Sequence, residues 1–544
     1  MKTEIPVKQG EIYQLNIDRL GVNGEGVGRI DGFTIFVPYA LPGEQIDVRI
    51  IDVKKTYAVG KIVKIDVKSP ERVTPKCPIY DKCGGCQLQH LSYEAHLREK
   101  QQRVIDAVTR IGDMPDVPVL PVLGAVNPWN YRNKMQFPVG KTKGKISIGC
   151  YSMGTHNIID TDNCAIQKEL NNDVVKAARE VIERLGIQPY NEDKHTGILR
   201  HIVGRVGKNG DTMIVLVTAV KELSNAKQIV NLLRKRLPKL VSVQQNIQTY
   251  RNNVIMGRET KLLWGKQTIL DTIGSLTFHI SPRSFFQVNT EQADILYRKA
   301  LEFANLKGEE TVIDAYCGTG TISLFLAKKA YKVYGIEIVK PAILDAQKNA
   351  RDNNVRNAEF IVGDATEVMP RLYKQDIRPD VVVVDPPRAG CTEEVLKTFA
   401  AMKPERIVYV SCNPATLARD LKILDGLGYK TKKVQPVDMF PMSFHVETVV
   451  LLGWKDVDEY IYIDYAPEHG NTTRGKATYR QITDYIQNTY GVHVSNLDIA
   501  QVKDKCGFEK RQNYNKGSEG HKVPICTPEK NEMIIEAFRH FNML

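Results

Sequence analysis

Arg378-Pro379-Asp380-Val381-Val382-Val383-Val384-Asp385-Pro386-Pro387-Arg388 decides the fold. Its β-branched apolar run reads as a buried strand, and it ends abruptly in Asp385 and a proline pair that opens a loop. A neighbouring run, Ile407-Val408-Tyr409-Val410-Ser411-Cys412-Asn413-Pro414, repeats the pattern. In an open parallel sheet, ligands bind just outside the carboxyl ends of the strands. Asp385 and Cys412 are therefore expected over one crevice. A carboxylate and a thiol so placed point to covalent chemistry on a substrate. Each residue alone has a plainer reading: a small buried hydrophobe for the cysteine, a turn starter for Asp-Pro.

Upstream, Thr311-Val312-Ile313-Asp314-Ala315 is another buried-strand signal, followed by Tyr316-Cys317-Gly318-Thr319-Gly320-Thr321 and a helical stretch. Glycines here let the backbone approach a ligand, and the amino end of the helix offers free N–H groups. Ser323 stands where a dinucleotide fingerprint has its third glycine. Glu337 ends the next strand, where a carboxylate takes both hydroxyls of a ribose. Gly363-Asp364 ends the third strand, within reach of an adenine amine. Strands at 311, 332, 358, 379 and 405 alternate with helices, which is a doubly wound α/β sheet. This order resembles the S-adenosylmethionine-dependent methyltransferases; NAD binding is the competing reading of the loop alone.

With 544 residues the chain is expected to hold roughly three to four domains. Its 42% hydrophobic content suffices for a sizeable core, which excludes bulk disorder. A formal charge of +12 fits a polyanionic partner such as nucleic acid. The start has no signal-peptide pattern and no run is long enough to span a bilayer, so a cytoplasmic protein is expected. The ten cysteines are then read as thiols or metal ligands.

Residues 8 to 67 hold several short strands punctuated by glycines, which suggests a small barrel of the OB type. Gly24-Glu25-Gly26-Val27-Gly28 and Pro42-Gly43-Glu44 resemble pieces of a TRAM domain, and that resemblance implies RNA binding. Next comes Cys77-Pro78-Ile79-Tyr80-Asp81-Lys82-Cys83-Gly84-Gly85-Cys86, with Cys150 and Cys164 as candidates for a fourth ligand. Thiolates suit zinc and iron–sulfur clusters. Structural zinc usually takes two short pairs, whereas a clustered triplet plus a remote cysteine favours a four-iron four-sulfur cluster. Lying in a different segment from Cys412, this site is expected to be structural or RNA-related. Residues 93 to 111 have helical periodicity, and 125 to 280 alternate strands with two helical stretches. Lys141, Lys143 and Lys145 flank a glycine in an expected hairpin.

Together, the cysteines, the cofactor loop, Asp385-Pro386-Pro387-Arg388 and Ser411-Cys412-Asn413-Pro414 resemble the RNA uridine-5-methyltransferases. The iron–sulfur type acting on 23S ribosomal RNA fits best, over residues 8 to about 454. The resemblance implies Cys77, Cys83, Cys86 and Cys164 as cluster ligands. It implies Gln287, Tyr316, Thr321, Glu337, Asp364 and Asp385 as S-adenosylmethionine contacts, Cys412 as nucleophile and Glu447 as general base. Uracil carbon 5 is too poor a nucleophile to take a methyl group from a sulfonium, but thiolate addition at carbon 6 makes an enolate that can. One cysteine and one carboxylate in a single pocket meet that need, with the uridine unstacked.

The expected domains are a TRAM barrel (8–67), a central α+β iron–sulfur and RNA-binding domain (68–92 and 125–280), and a catalytic domain (93–124 and 281–454). Residues 460 to 544 depart from the pattern and read as a small, mostly helical extension in which Cys506 and Cys526 are plain thiols. RNA is the expected partner, ribosomal RNA first, with no membrane and no obligate protein partner. Transfer RNA as substrate, and a non-catalytic RNA-binding or redox-sensing protein, are the competing readings. A sensor has no need of Cys412 and Glu447 beside a complete cofactor loop.

Overall fold

The computed structural model describes residues 5–455, 477, 479–506, 526–541 and 543–544. The chain forms two compact units, Met1–Asp456 and Val457–Leu544.

The first unit opens with a six-stranded sheet built from β1 (Ile12–Asn16), β2 (Arg19–Leu20), β3 (Gly26–Ile30), β4 (Phe33–Val37), β5 (Gln45–Val53) and β6 (Tyr57–Val67). Its order is β1-β5-β6-β4-β3-β2, around a core that includes Leu15, Ile35, Val37, Ile46 and Val48. Gly28 is obligatory in that weave, because a Cβ there would run into the Asn16 carbonyl oxygen. Helix α1 (Tyr93–Arg110) follows, capped by the Ser92 hydroxyl, which accepts from the Ala95 N–H. Its Val104 and Val108 face the later catalytic core.

The central part has a seven-stranded sheet of order β13-β12-β11-β10-β7-β8-β9. Its strands are β7 (Lys134–Thr142), β8 (Lys145–Tyr151), β9 (Ile158–Asp160), β10 (Leu199–Val206), β11 (Thr212–Thr218), β12 (Leu240–Ile247) and β13 (Glu259–Gly265). Helices α2 (Glu169–Leu185) and α3 (Ala226–Arg236) are its two helical stretches. The expected lysine hairpin joins β7 to β8 through Lys143 and Gly144, both at positive φ, a two-residue turn that fits the strand twist. A further hairpin, β14 (Ile269–Ile273) with β15 (Leu276–Ile280), lies where the sequence places a domain boundary. Its Ile273 and Phe278 are buried in one cluster with Leu296 and Tyr297 of α4 (Thr290–Ala304) and Val215 of β11.

The catalytic sheet has strands β16 (Thr311–Ala315), β17 (Lys332–Glu337), β18 (Ala358–Val362), β19 (Val381–Val384), β20 (Arg406–Ser411), β21 (Tyr429–Val437) and β22 (Glu447–Trp454). Their order is β18-β17-β16-β19-β20-β22-β21. Helices α5 (Thr321–Ala327), α6 (Lys340–Asp352), α7 (Ala365–Lys374), α8 (Glu393–Met402) and α9 (Pro414–Gly426) alternate with the strands. The first five strands are parallel, and all four valines of β19 are fully buried between its neighbours. The doubly wound reading is incomplete in one respect: β22 enters antiparallel between β20 and β21, so the sheet is mixed. That insertion places Glu447. Residues 117–124 run beside β21, with bridges from Val119 to Val434 and from Leu123 to Val437.

In the second unit, helices α10 (Tyr479–Tyr490), α11 (Asn496–Lys505) and α12 (Pro528–His540) share a core of Ile482, Ile486, Ile499, Val502, Ile534 and Phe538. Cys526 is buried there and its thiol donates to the Thr527 carbonyl. Gln512, Asn513, Tyr514, Asn515 and Lys516, a polar run of the extension, lie outside the described residues. Among the described residues no helix is long and apolar enough to cross a membrane.

Candidate active site and cysteine cavity

Cys412 stands immediately after β20 and just before Asn413, whose side chain caps α9 by accepting from the Ala415 N–H at 3.1 Å. Pro414 at the first helical turn has no N–H to leave unpaired. Ser411 pairs with Thr448 across β20 and β22, so one further step of that register sets Cys412 opposite Glu447. Glu447 is only 8% exposed. Burial, and then the charge of Asp385, raise its carboxyl to about 8. Burial, and then the charges of Glu447 and Asp385, raise the Cys412 thiol to about 11, with Arg388 opposing. Burial holds Asp385 near 7. Cys412, Glu447, Asp385 and Arg388 thus share one field. Arg388 is held through its own carbonyl, which accepts from Asn413 Nδ2 and Thr416 Oγ1, each at 3.1 Å.

Of the residues expected to contact S-adenosylmethionine, Tyr316, Glu337, Asp364 and Asp385 stand at or just past the carboxyl ends of β16, β17, β18 and β19. Glu337 is oriented by its backbone neighbours: Gly318 N–H donates to one carboxylate oxygen at 3.2 Å and Val339 N–H to the other at 2.8 Å. Beside it Ile338 and Val339 are exposed, an apolar shelf of the kind that receives a flat ring. Tyr316 takes a left-handed φ of 65°, and Thr321 begins α5. The buried Tyr297 hydroxyl lies close to both Thr321 and Gln287, a proximity that no sequence pattern announced. Asp364 caps α7, accepting from the Thr366 N–H and hydroxyl through the same oxygen. Ser323, in the missing glycine's place, is fully buried and donates to Asp314. These residues fit S-adenosylmethionine: a fixed ribose carboxylate, an apolar shelf, and a loop opened by Gly318 at a φ of 54° with nothing close to its Cβ direction.

Cys77, Cys83, Cys86, Cys150 and Cys164 all line one cavity of about 290 Å³, with Tyr80, Arg132 and Gln167. The structure therefore brings both candidates for the fourth ligand to the triplet. The Cys150 and Cys83 thiols are near neighbours there. Among the described residues no three Cys, His, Asp or Glu side chains converge on one point where a metal ion would sit.

The tRNA (uracil-5-)-methyltransferase family matches residues 213–455, and the TRAM domain matches residues 6–63. Among curated relatives, an uncharacterized RNA methyltransferase of Halalkalibacterium halodurans is 52% identical over 84% of this chain and 100% of its own length. One of Clostridium tetani is 53% identical over 84% of this chain and 99% of its own. The chain belongs to the RNA uracil-5-methyltransferase family. Among solved structures, the tRNA (uracil-54, C5)-methyltransferase of Pyrococcus abyssi, in complex with S-adenosyl-L-homocysteine, superposes with a TM-score of 0.66 at 33% identity. That match covers 80% of this chain and 99% of the other. The enzyme is thus an S-adenosylmethionine-dependent RNA methyltransferase with an N-terminal TRAM domain.

Proposed function

We propose that the enzyme methylates carbon 5 of uridine in RNA through a covalent adduct with Cys412. The observation that supports this is the antiparallel pairing of β20 with β22, whose register ends at Ser411 and Thr448, next in the chain to Cys412 and Glu447 respectively. The Cys412 thiolate adds to carbon 6 of the uracil and the electron pair moves through carbon 5 to oxygen 4. S-adenosylmethionine, held by Gln287, Tyr316, Thr321, Glu337, Asp364 and Asp385, supplies the electrophilic methyl group. Carbon 5 attacks that methyl group as the carbonyl re-forms, and S-adenosylhomocysteine leaves. Glu447 then takes the carbon 5 proton, the carbon 5–carbon 6 double bond re-forms, and the carbon–sulfur bond breaks to free the thiolate. A carboxyl held near 8 is basic enough to accept that proton and still part with it to solvent.

Cys77, Cys83, Cys86 and Cys164 would hold a four-iron four-sulfur cluster, which when bound crosslinks the segment around residue 77 to the central sheet. The gathering of all these cysteines around one cavity supports this reading. We assign ribosomal RNA as the substrate, on the joint presence of the TRAM domain and the cysteine segment. The likeness to the Pyrococcus abyssi enzyme favours a second reading, transfer RNA. Incubating the enzyme with each RNA and labelled S-adenosylmethionine separates the two. Cys412→Ala should form no product with either. Glu447→Gln should retain methyl transfer and leave RNA covalently attached, seen as a shifted band after denaturation. A folded Glu447→Gln that turns over normally without a shifted band removes Glu447 from the mechanism.

A further inference from the structure

Residues 438 to 446, which lead into Glu447, form no helix or strand, so other parts of the chain must fix their path. The first five carbonyls of this loop are each taken by a distant donor. Gln292 Nε2 donates to Asp438 O at 2.9 Å, Asn289 Nδ2 to Met439 O at 3.1 Å, and Lys100 Nζ to Phe440 O at 3.1 Å. The Tyr131 hydroxyl donates to Pro441 O at 3.0 Å. The N–H groups of Gln87 and Leu88 both donate to Met442 O, at 3.0 and 3.1 Å. Met442 is 3% exposed, and its φ of 67° is one that side-chain-bearing residues rarely hold. Its side chain packs in one cluster with Tyr131 and with Cys86, Tyr80 and Ile166, the last three of which line the cysteine cavity.

We infer that Tyr131 and Met442 are positioning residues that make the cysteine segment part of the scaffold of the catalytic base. The strained Met442 conformation persists because three groups over-determine it: the paired N–H donors after Cys86, the Tyr131 hydroxyl one residue earlier, and the apolar packing on Cys86. Releasing any of these lets the turn relax, and Glu447 lies five residues further on. Proton removal from carbon 5 needs the carboxylate within hydrogen-bond reach, and a misplacement of about 1 Å costs on the order of 100-fold. Cys412 hangs on β20 and α9 instead, so thiolate addition is insulated from the same disturbance.

This rests on the reading of Glu447 as the base. Glu447→Gln is therefore run alongside as the test of that reading. Tyr131→Phe removes one hydroxyl and no packing; Met442→Ala removes the packing and keeps the backbone carbonyl. Single-turnover experiments with RNA and labelled S-adenosylmethionine follow methyl transfer and enzyme release separately. Expected for Tyr131→Phe is release slowed about tenfold or more, with denaturation-resistant RNA–protein adduct accumulating while methyl transfer and S-adenosylmethionine affinity stay near wild type. Met442→Ala should behave alike, and it decides the question if Tyr131→Phe does not fold. Adduct with Glu447→Gln but none with either folded variant overturns the positioning role. Equal slowing of methyl transfer and release overturns it too, since that is the mark of a general structural defect.

Discussion

Lys100 Nζ lies 2.6 Å from Asp438 Oδ1, and both side chains are sealed from water. The Tyr93 hydroxyl donates to the other carboxylate oxygen at 2.8 Å. Helix α1 is thereby tied to the first residue of the loop that ends at Glu447. Removing one partner of a buried ion pair leaves the other uncompensated, at about 3–5 kcal/mol. Lys100→Met should lower the melting temperature of the catalytic unit by a corresponding margin. A Lys100→Met, Asp438→Leu double variant should recover part of the loss, as neither charge then remains. A single variant that melts like the wild type would show that the pair contributes nothing net.

Charges around Cys412 make its reactivity predictable. The nearby Glu447 carboxylate raises the thiol and the Arg388 guanidinium lowers it. Glu447→Gln removes the negative charge, so alkylation of Cys412 should set in at lower pH than in the wild type. Arg388→Gln should move it the other way. Site-resolved alkylation with iodoacetamide across pH 6 to 11, read by mass spectrometry, separates Cys412 from the other thiols. Identical profiles in all three proteins would mean that the four groups do not share a pocket.

Much of this arrangement was legible in the sequence. The runs beginning at 311, 332, 358, 379 and 405 correspond to β16 through β20, because continuous β-branched stretches have few alternatives once flanked by polar turns. β22 was not read as a strand although its last residues are as apolar as the others. Local pattern carries no register, and only the register reveals that Glu447 opposes Cys412. The ties between the cysteine segment and the loop before Glu447 were hidden for the same reason. Tyr131 and Pro441 stand 310 residues apart and meet through a single hydroxyl. Tyr131 and Asn133, at the opening of the central part, are buried, and Asn133 Nδ2 donates to the Gln287 carbonyl at 3.0 Å. No periodicity encodes such contacts.

Asp314 supplies a test through pH. Burial raises its carboxyl to about 7, its Oδ1 has no partner, and its Oδ2 accepts from Ser323. The folded state therefore holds the proton more tightly than the unfolded chain does. The stabilisation is complete below the ordinary carboxylate range, near pH 4, declines as pH rises, and is lost above about 7. Asp385 adds in the same direction over the same interval. The ligand-free protein should melt at a higher temperature at pH 5.5 than at pH 8. Asp314→Asn, which cannot ionise, should flatten that slope. An unchanged slope would place the pH sensitivity elsewhere.

The last prediction concerns the second unit. Its helices bury Ile482, Ile486, Val494, Ile499, Val502, Ile534 and Phe538 against one another, which is a core of their own. The first unit likewise closes without them: β22 ends at Trp454, whose ring stacks on Tyr429 at 4.3 Å within the catalytic sheet. Gln287, Tyr316, Thr321, Glu337, Asp364 and Asp385 all belong to that first unit. A chain ending at residue 456 should therefore stay soluble and bind S-adenosylmethionine with unchanged affinity by calorimetry. Its affinity for RNA is a separate matter. If the second unit adds phosphate contacts, full-length protein will lose RNA affinity more steeply with salt than the truncated chain does. Loss of S-adenosylmethionine binding on truncation would instead show that the catalytic fold depends on residues beyond 456.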